Sequence, residues 1–150
     1  MMISFFRYIL FCLCVFLSTF TATADNKNHV SIGVILPLHQ ADGDGKRMTE
    51  YYRGMLMAFD QLKSEGYSID VHAWNVNADA DIRTTLLDEH TAKCDIIFGP
   101  LYSKQVKPLA DFCQSKNIRL VIPFSISDTD IASNKSIFQV YQDDTRLLNA

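Results

Sequence analysis

Residues 94–106, CDIIFGPLYSKQV, set a glycine, a proline, a phenol and a hydroxyl between an apolar run and a helical pattern. Ile96-Ile97-Phe98 stops at Gly99-Pro100, and Tyr102 and Ser103 come just before the helical spacing begins. Gly99 lets backbone approach a ligand closely, and Pro100 stiffens the exit from the strand. Ser103 at a helix N-terminus offers a hydroxyl beside free backbone N–H groups, a combination that favours a carboxylate or other anion. Tyr102 can stack on a solute or hydrogen-bond it. The plainer account is that Ser103 is only the N-cap of its helix.

The other residues able to do chemistry narrow the classes. Neither GxGxxG nor GxxxxGK[ST] follows the first apolar run, and the acidic stretch HQADGDGK puts Asp42 and Asp44 where phosphate would be repelled, so a dinucleotide or nucleotide enzyme is disfavoured. DGDGK faintly resembles a calcium loop, but Lys46 and Arg53 stand at the fifth and twelfth positions counted from Asp42, where ligands are needed. The alternation of Asn75, Asn77, Asp79 and Asp81 offers oxygens, and its plain reading is a strand end followed by a helix cap. His29, His39, His72 and His90 show no HxxxH or HExxH spacing, so no metal or other cofactor is indicated. Ser103 and Ser125 follow apolar runs without a G-x-S-x-G elbow or an assignable base, which leaves an enzyme without a positive residue. Asn134-Lys135-Ser136 matches a glycosylation sequon and decides nothing.

These residues need elements to hold them. Residues 30–36 (VSIGVIL) are almost continuously apolar and end at Pro37, as expected of a parallel strand buried on both faces. Residues 39–46 read as a loop. Residues 49–65 carry Tyr52, Met55, Leu56, Phe59 and Leu62 at the spacing of one helical face, with Thr49 as N-cap and Gly66 at the end. Residues 68–76 alternate, with Ile69, Val71 and Ala73 on one side, as in a strand nearer the sheet edge. A second helix over 79–90, capped by Asp79 or Asp81, turns Ile82, Leu86 and Leu87 inward. A third strand at 96–98, a helix at 103–116, a strand at 119–123, a strand at 137–141 and a helix starting at Asp143 or Asp144 complete the order. Strands alternating with helices, joined by connections too long for hairpins, predict an α/β fold with an open parallel sheet and helices on both faces. Ligands of such sheets bind outside the carboxyl ends of the strands, here the loops 37–46, 75–79, 99–103 and 124–130.

At the level of the chain, residues 1–24 read as a secretory signal: Arg7, an apolar stretch over 8–17, and a small-residue cleavage pattern at Ala22-Thr23-Ala24. The apolar part falls short of the roughly 20 residues that cross a bilayer. Phe11 and Leu13 before Cys12 and Cys14 argue against a lipobox. The remainder of the chain, from Asp25 onward, has the size of one ordinary domain. A net charge of −3 and a pI near 5.7 supply no basic stripe for nucleic acid. Of the four cysteines, Cys94 and Cys113 stay with the exported part. They fall toward the same sheet edge, so a disulfide is geometrically open to them, and two buried free thiols are the equal alternative.

The pieces in order resemble the first lobe of type I periplasmic binding proteins, the Leu/Ile/Val-binding and receptor ligand-binding-region superfamily. IGVILPL is similar to that family's first strand and proline-containing exit. Gly54, Ala58, Leu62 and Gly66 in YYRGMLMAFDQLKSEG match its first helix. FGPLYSKQV, NIRLVIPFS and IFQVYQDDTRLL resemble its later strand, loop and helix segments. The wording is similar to envelope proteins whose binding domain is sometimes linked to LysM peptidoglycan-binding modules, although no LysM segment is visible.

The resemblance implies an exported, periplasmic or envelope-associated, non-enzymatic domain that recognises a small polar or anionic, amino-acid-like molecule in an interlobe cleft. A membrane permease would be its partner. By motif position the ligand residues are His39 or Gln40, Tyr102 with Ser103, and Ser125 with Ile126 or Ser127. The chain departs from the family in bulky Phe124, where transport receptors often have glycine, and in the missing second lobe. The last helix is barely begun at Ala150, which leads to the expectation of an N-terminal fragment. The runner-up keeps the fold without the solute, as an envelope protein touching peptidoglycan or cell-wall proteins. A receiver domain would need acidic groups where Leu36-Pro37 and Phe98-Gly99 stand.

Overall fold

The computed structural model describes residues 28–124 and 134–140. The expected signal segment, the site candidates Ser125, Ile126 and Ser127, and the helix expected from Asp143 or Asp144 lie outside the described residues.

Five parallel strands form one sheet in the order β2-β1-β3-β4-β5. They are β1 (His29–Leu36), β2 (Ser68–Asn75), β3 (Ile96–Phe98), β4 (Arg119–Ile122) and β5 (Ile137–Gln139). β1 lies between β2 and β3, with Val34 opposite Ala73 on one side and Phe98 on the other. The apolar run of β1 follows from this place, because both faces are covered. Ile32, Val34 and Leu36 enter one core with Met48, Met55 and Phe59 of helix α1 (Gly43–Ser64). Ile35 enters the other, with Ile97, Leu120 and Ile122 of the sheet and Val106, Leu109, Ala110 and Cys113 of helix α3 (Val106–Lys116). Right-handed crossovers require this split: the chain steps from β1 outward to β2, then back across β1 to β3, so the later helices cover the opposite face.

Three expected boundaries move, each for a local reason. α1 begins at Gly43 rather than at Thr49, because Asp42 is its N-cap and accepts from the Gly45 N–H at 2.7 Å. Thr49 is inside the helix, its hydroxyl donating to the Gly45 carbonyl. The second helix shrinks to α2 (Ile82–Leu86), followed by a 3-10 turn (Thr91–Lys93). Asp81 caps α2 as expected, but the Asp88 carboxylate accepts from the His90 N–H at 2.9 Å and the Trp74 indole at 3.1 Å, which holds the chain in a turn. Leu87, expected inside, is 87% exposed. The third helix opens with a 3-10 turn (Ser103–Gln105) whose N-cap is Tyr102, with no side-chain oxygen closing it, so Ser103 is not the cap. At its far end Asn117 takes the left-handed conformation that stops α3.

Cys94 and Cys113 are free thiols buried in one core. Burial pushes the Cys113 thiol up to about 12, with nearby Cys94 adding to it. Among the described residues no helix is long and apolar enough to cross a membrane.

Candidate functional site

In a sheet ordered β2-β1-β3-β4-β5 the direction of winding reverses between β1 and β3, and the loops leaving those two strands must part there. The crevice at their carboxyl ends receives residues 37–42 from β1, the first turn of α1, and residues 99–105 from β3. Leu38, Leu101 and Phe124 are half-buried against the α1-side core at this end. Phe124 meets Tyr51 of α1 edge to face, ring centroids 5.3 Å apart, so the bulky side chain that departs from the transport receptors is anchored in packing.

Gly99 is required here for a reason other than the expected one. Its φ is +127°, and a Cβ on it would lie 2.2 Å from the Ile35 carbonyl oxygen, so the close approach is to the neighbouring strand β1 and not to a ligand. This lets the chain turn off β3 at once and brings Tyr102 back over α1. The Tyr102 hydroxyl donates to Asp44 Oδ2 at 3.4 Å, linking the segment after β3 to the first turn of α1, 58 residues away in sequence. Burial, then the charges of Asp44, Asp42 and Asp79, raise the Tyr102 phenol above its ordinary value, so its proton stays available to Asp44. Asp44 is also paired with Arg47.

His39 is seated on α1. A Cβ at Gly45 would fall 2.3 Å from its Nδ1, so only glycine leaves room for the ring. His39 Nδ1 accepts from the Ala41 N–H at 3.2 Å, which puts the proton of the neutral ring on Nε2, 3.8 Å from Asp42 Oδ2. Gln40 beside it is exposed. Tyr102 and His39 thus both rest on the first turn of α1, through Asp44 and Gly45, while Gln40 and Ser103 beside them in sequence are exposed.

Sequence reasoning missed the residues that orient these. Asn75 Oδ1 accepts from the Leu38 N–H at 2.8 Å and fixes the exit of β1. Gln105, buried to 3%, donates its side-chain amide to the Asn77 carbonyl at 2.9 Å and pins the loop after β2 to the start of α3. A glutamine on the inward stripe ahead of Val106 and Leu109 was the available signal. Among the described residues no group of three or more His, Cys, Asp or Glu side chains could hold a metal ion. A groove of about 210 Å³ lined by Val106, Ala110, Gln114 and Ile137 lies on the α3 face, and it shares no lining residue with this crevice.

Solved structures share this fold. The chain superposes on LivJ, the branched-chain amino acid transporter substrate-binding protein of Streptococcus pneumoniae in complex with isoleucine, with a TM-score of 0.62 and 17% identity over 78% of this chain and 35% of that one. The fold is that of a type I periplasmic-binding-protein lobe. An ABC transporter substrate-binding protein of Desulfitobacterium hafniense gives a TM-score of 0.57 at 16% identity over 79% of this chain and 36% of that one. One from the same organism in complex with Leu gives 0.54 at 17%, over 74% and 33%. The chain thus spans about a third of the length of these binding proteins. No protein-family model and no curated protein matches the sequence.

Proposed function

We propose that this chain forms the first lobe of an exported solute-binding protein that takes a small, amino-acid-like molecule at the β1–β3 crevice and delivers it to, or signals through, a membrane partner. The observation that carries the reading is the meeting of Tyr102 with Asp44 at the start of α1, where His39 is also seated, at the switch point of a lobe folded like those of proteins solved with isoleucine and with Leu. The chemistry is recognition without bond making. Hydroxyls and an imidazole at the mouth give direction to a polar solute, the half-buried apolar residues Leu38, Leu101 and Phe124 form the floor, and a second lobe closing over the ligand excludes water. Permease engagement would depend on that closure. Ser125 and Ser127, which follow β4 in sequence, would complete the hydroxyl set.

The test is a thermal-shift screen of the twenty amino acids on the full-length protein, repeated with Ser103→Ala/Ser125→Ala. A ligand at a hundred times its Kd adds about 2.7 kcal/mol to stability, a rise of several degrees in Tm, and the double substitution should remove most of it. A shift that survives both replacements unchanged would place the solute elsewhere.

A further inference from the structure

Helix α1 presents an apolar centre on the face turned away from the sheet. Met48, Met55 and Phe59 point into the core. At about 100° of turn per residue, Met57 stands on the opposite side, 74% exposed in the middle of a helix of 22 residues. Gly54 and Ala58, one turn apart beside it, are exposed as well, and a Cβ on Gly54 would meet no atom within 4 Å. A flexible knob therefore stands next to a shallow notch in the helix surface.

The charges bordering this centre are divided along the helix. Lys46, Arg47 and Arg53 outnumber Glu50 on the exposed part before Met57, whereas Asp60 and Glu65 follow it. Lys63, six residues beyond Met57, is turned about 120° away from it and stays outside the strip. Arg47 and Arg53 are tied only within their own turns, to Asp44 and Glu50, in exposed pairs that exchange at little cost. Asp60 and Glu65 are in no ion pair among the described residues.

The spacing of these charges is self-complementary. Arg53 and Asp60 on one flank, and Arg47 and Glu65 on the other, lie almost equally far on either side of Leu56 and Met57. A two-fold axis through that point sets each flank against the same flank of a second copy running the opposite way. Arg53 then faces Asp60 of the second copy, Arg47 faces its Glu65, and the two Met57 side chains meet between the small residues. A parallel pairing would set like charges together instead. Met and Arg are also side chains that protein interfaces enrich.

We propose that the outer face of α1 is the contact surface for a second copy of this chain, in an antiparallel, two-fold helix pair centred on Met57. At 1.5 Å per residue the helix is about 33 Å long, and one such pair is smaller than a standard interface, so the dimer is weak and concentration-dependent. Tyr102 and His39 take no part in it, and the contact stands or falls separately from the solute-binding reading.

The experiment is sedimentation equilibrium of the full-length protein with a charge swap across the pair. Arg53→Asp and Asp60→Arg should each raise the dimer dissociation constant by about tenfold, since the two-fold axis repeats the changed contact, and the double variant should return it to near the wild-type value. Met57→Cys should give a disulfide-linked dimer under copper-catalysed oxidation by dissolved oxygen, reversed by dithiothreitol, while Lys63→Cys, exposed but turned from the strip, should not. Losses that add in the double variant would overturn the proposal, as would a Met57→Cys protein that cross-links no better than Lys63→Cys. A protein that stays monomeric at every concentration would overturn it too. Association indifferent to all the charge variants would place the contact elsewhere, with Phe138 and Val140 the next residues to substitute, and would equally reject α1.

Discussion

An alanine at position 99 would carry a Cβ 2.2 Å from the Ile35 carbonyl oxygen on a backbone with φ of +127°. Both the clash and the conformation oppose it, so Gly99→Ala should destabilise the fold by roughly 3 kcal/mol, measured as a fall in the urea midpoint with the slope unchanged. Gly45 makes the contrasting case. Its Cβ would strike the His39 ring and carbonyl, but His39 sits in an exit loop outside the sheet ladder. Gly45→Ala should therefore cost less stability and more affinity, because it displaces the imidazole from the crevice. Equal losses of stability in the two variants would contradict that assignment. The special character of residues 99–103 was legible from Gly-Pro and the hydroxyls beyond it. The purpose of Gly99 was not, since the atom that demands it belongs to a strand more than sixty positions earlier in the chain. The same distance in sequence hid the Tyr102–Asp44 bond.

The elements were legible where one face or both faces of a segment are buried along its whole length. β1 and α3 carry that signature, and the inward stripe Val106, Leu109, Ala110, Cys113 lies in the core as the spacing required. Boundaries escaped where a single side chain decides them. Asp42 starts α1 six residues early despite two glycines, and Asp88 ends the helical run after α2. The Asp88 turn gives a pH prediction. Hydrogen bonds from the His90 N–H and the Trp74 indole, with the charges of His90 and His72, hold the Asp88 carboxyl below its ordinary value. A carboxyl depressed on folding stabilises the turn above the unfolded pKa, and that contribution is lost as pH falls through the folded one. Trp74 is the one tryptophan of the chain. Its fluorescence should stay constant from neutrality to about pH 4 and change only below it, ahead of global unfolding, while Asp88→Ala should show the altered spectrum already at neutral pH. A transition at neutral pH in the wild type would mean that the stacked rings of His72 and His90, with centroids 4.6 Å apart, control the indole instead.

At the scale of the whole molecule the two faces of the sheet are covered but its flanks differ. β2 lies at one end of the order and is eight residues long, with Asp70 and His72 on it. β5 lies at the other, three residues long, and has one strand neighbour among the described residues. Phe138 and Val140 there are 52% and 72% exposed, the opposite of what a blunted edge presents. An aromatic and a β-branched residue exposed at this end strand offer an apolar strip to another copy, so the chain by itself should self-associate through β5. Phe138→Thr/Val140→Lys should shift the population toward monomer in size-exclusion chromatography with light scattering, because neither side chain is in a core. Thiol chemistry supplies the control for intact folding. Cys94 and Cys113 are buried, and the Cys113 thiol is pushed to about 12, so neither should react with an aromatic disulfide reagent at neutral pH in the wild type or in the edge variant, and both should react in denaturant. Association that persists in an edge variant whose thiols stay protected would move the contact to another surface. The α3-side groove at Ile137, next in line along the same strand, would then be the place to substitute.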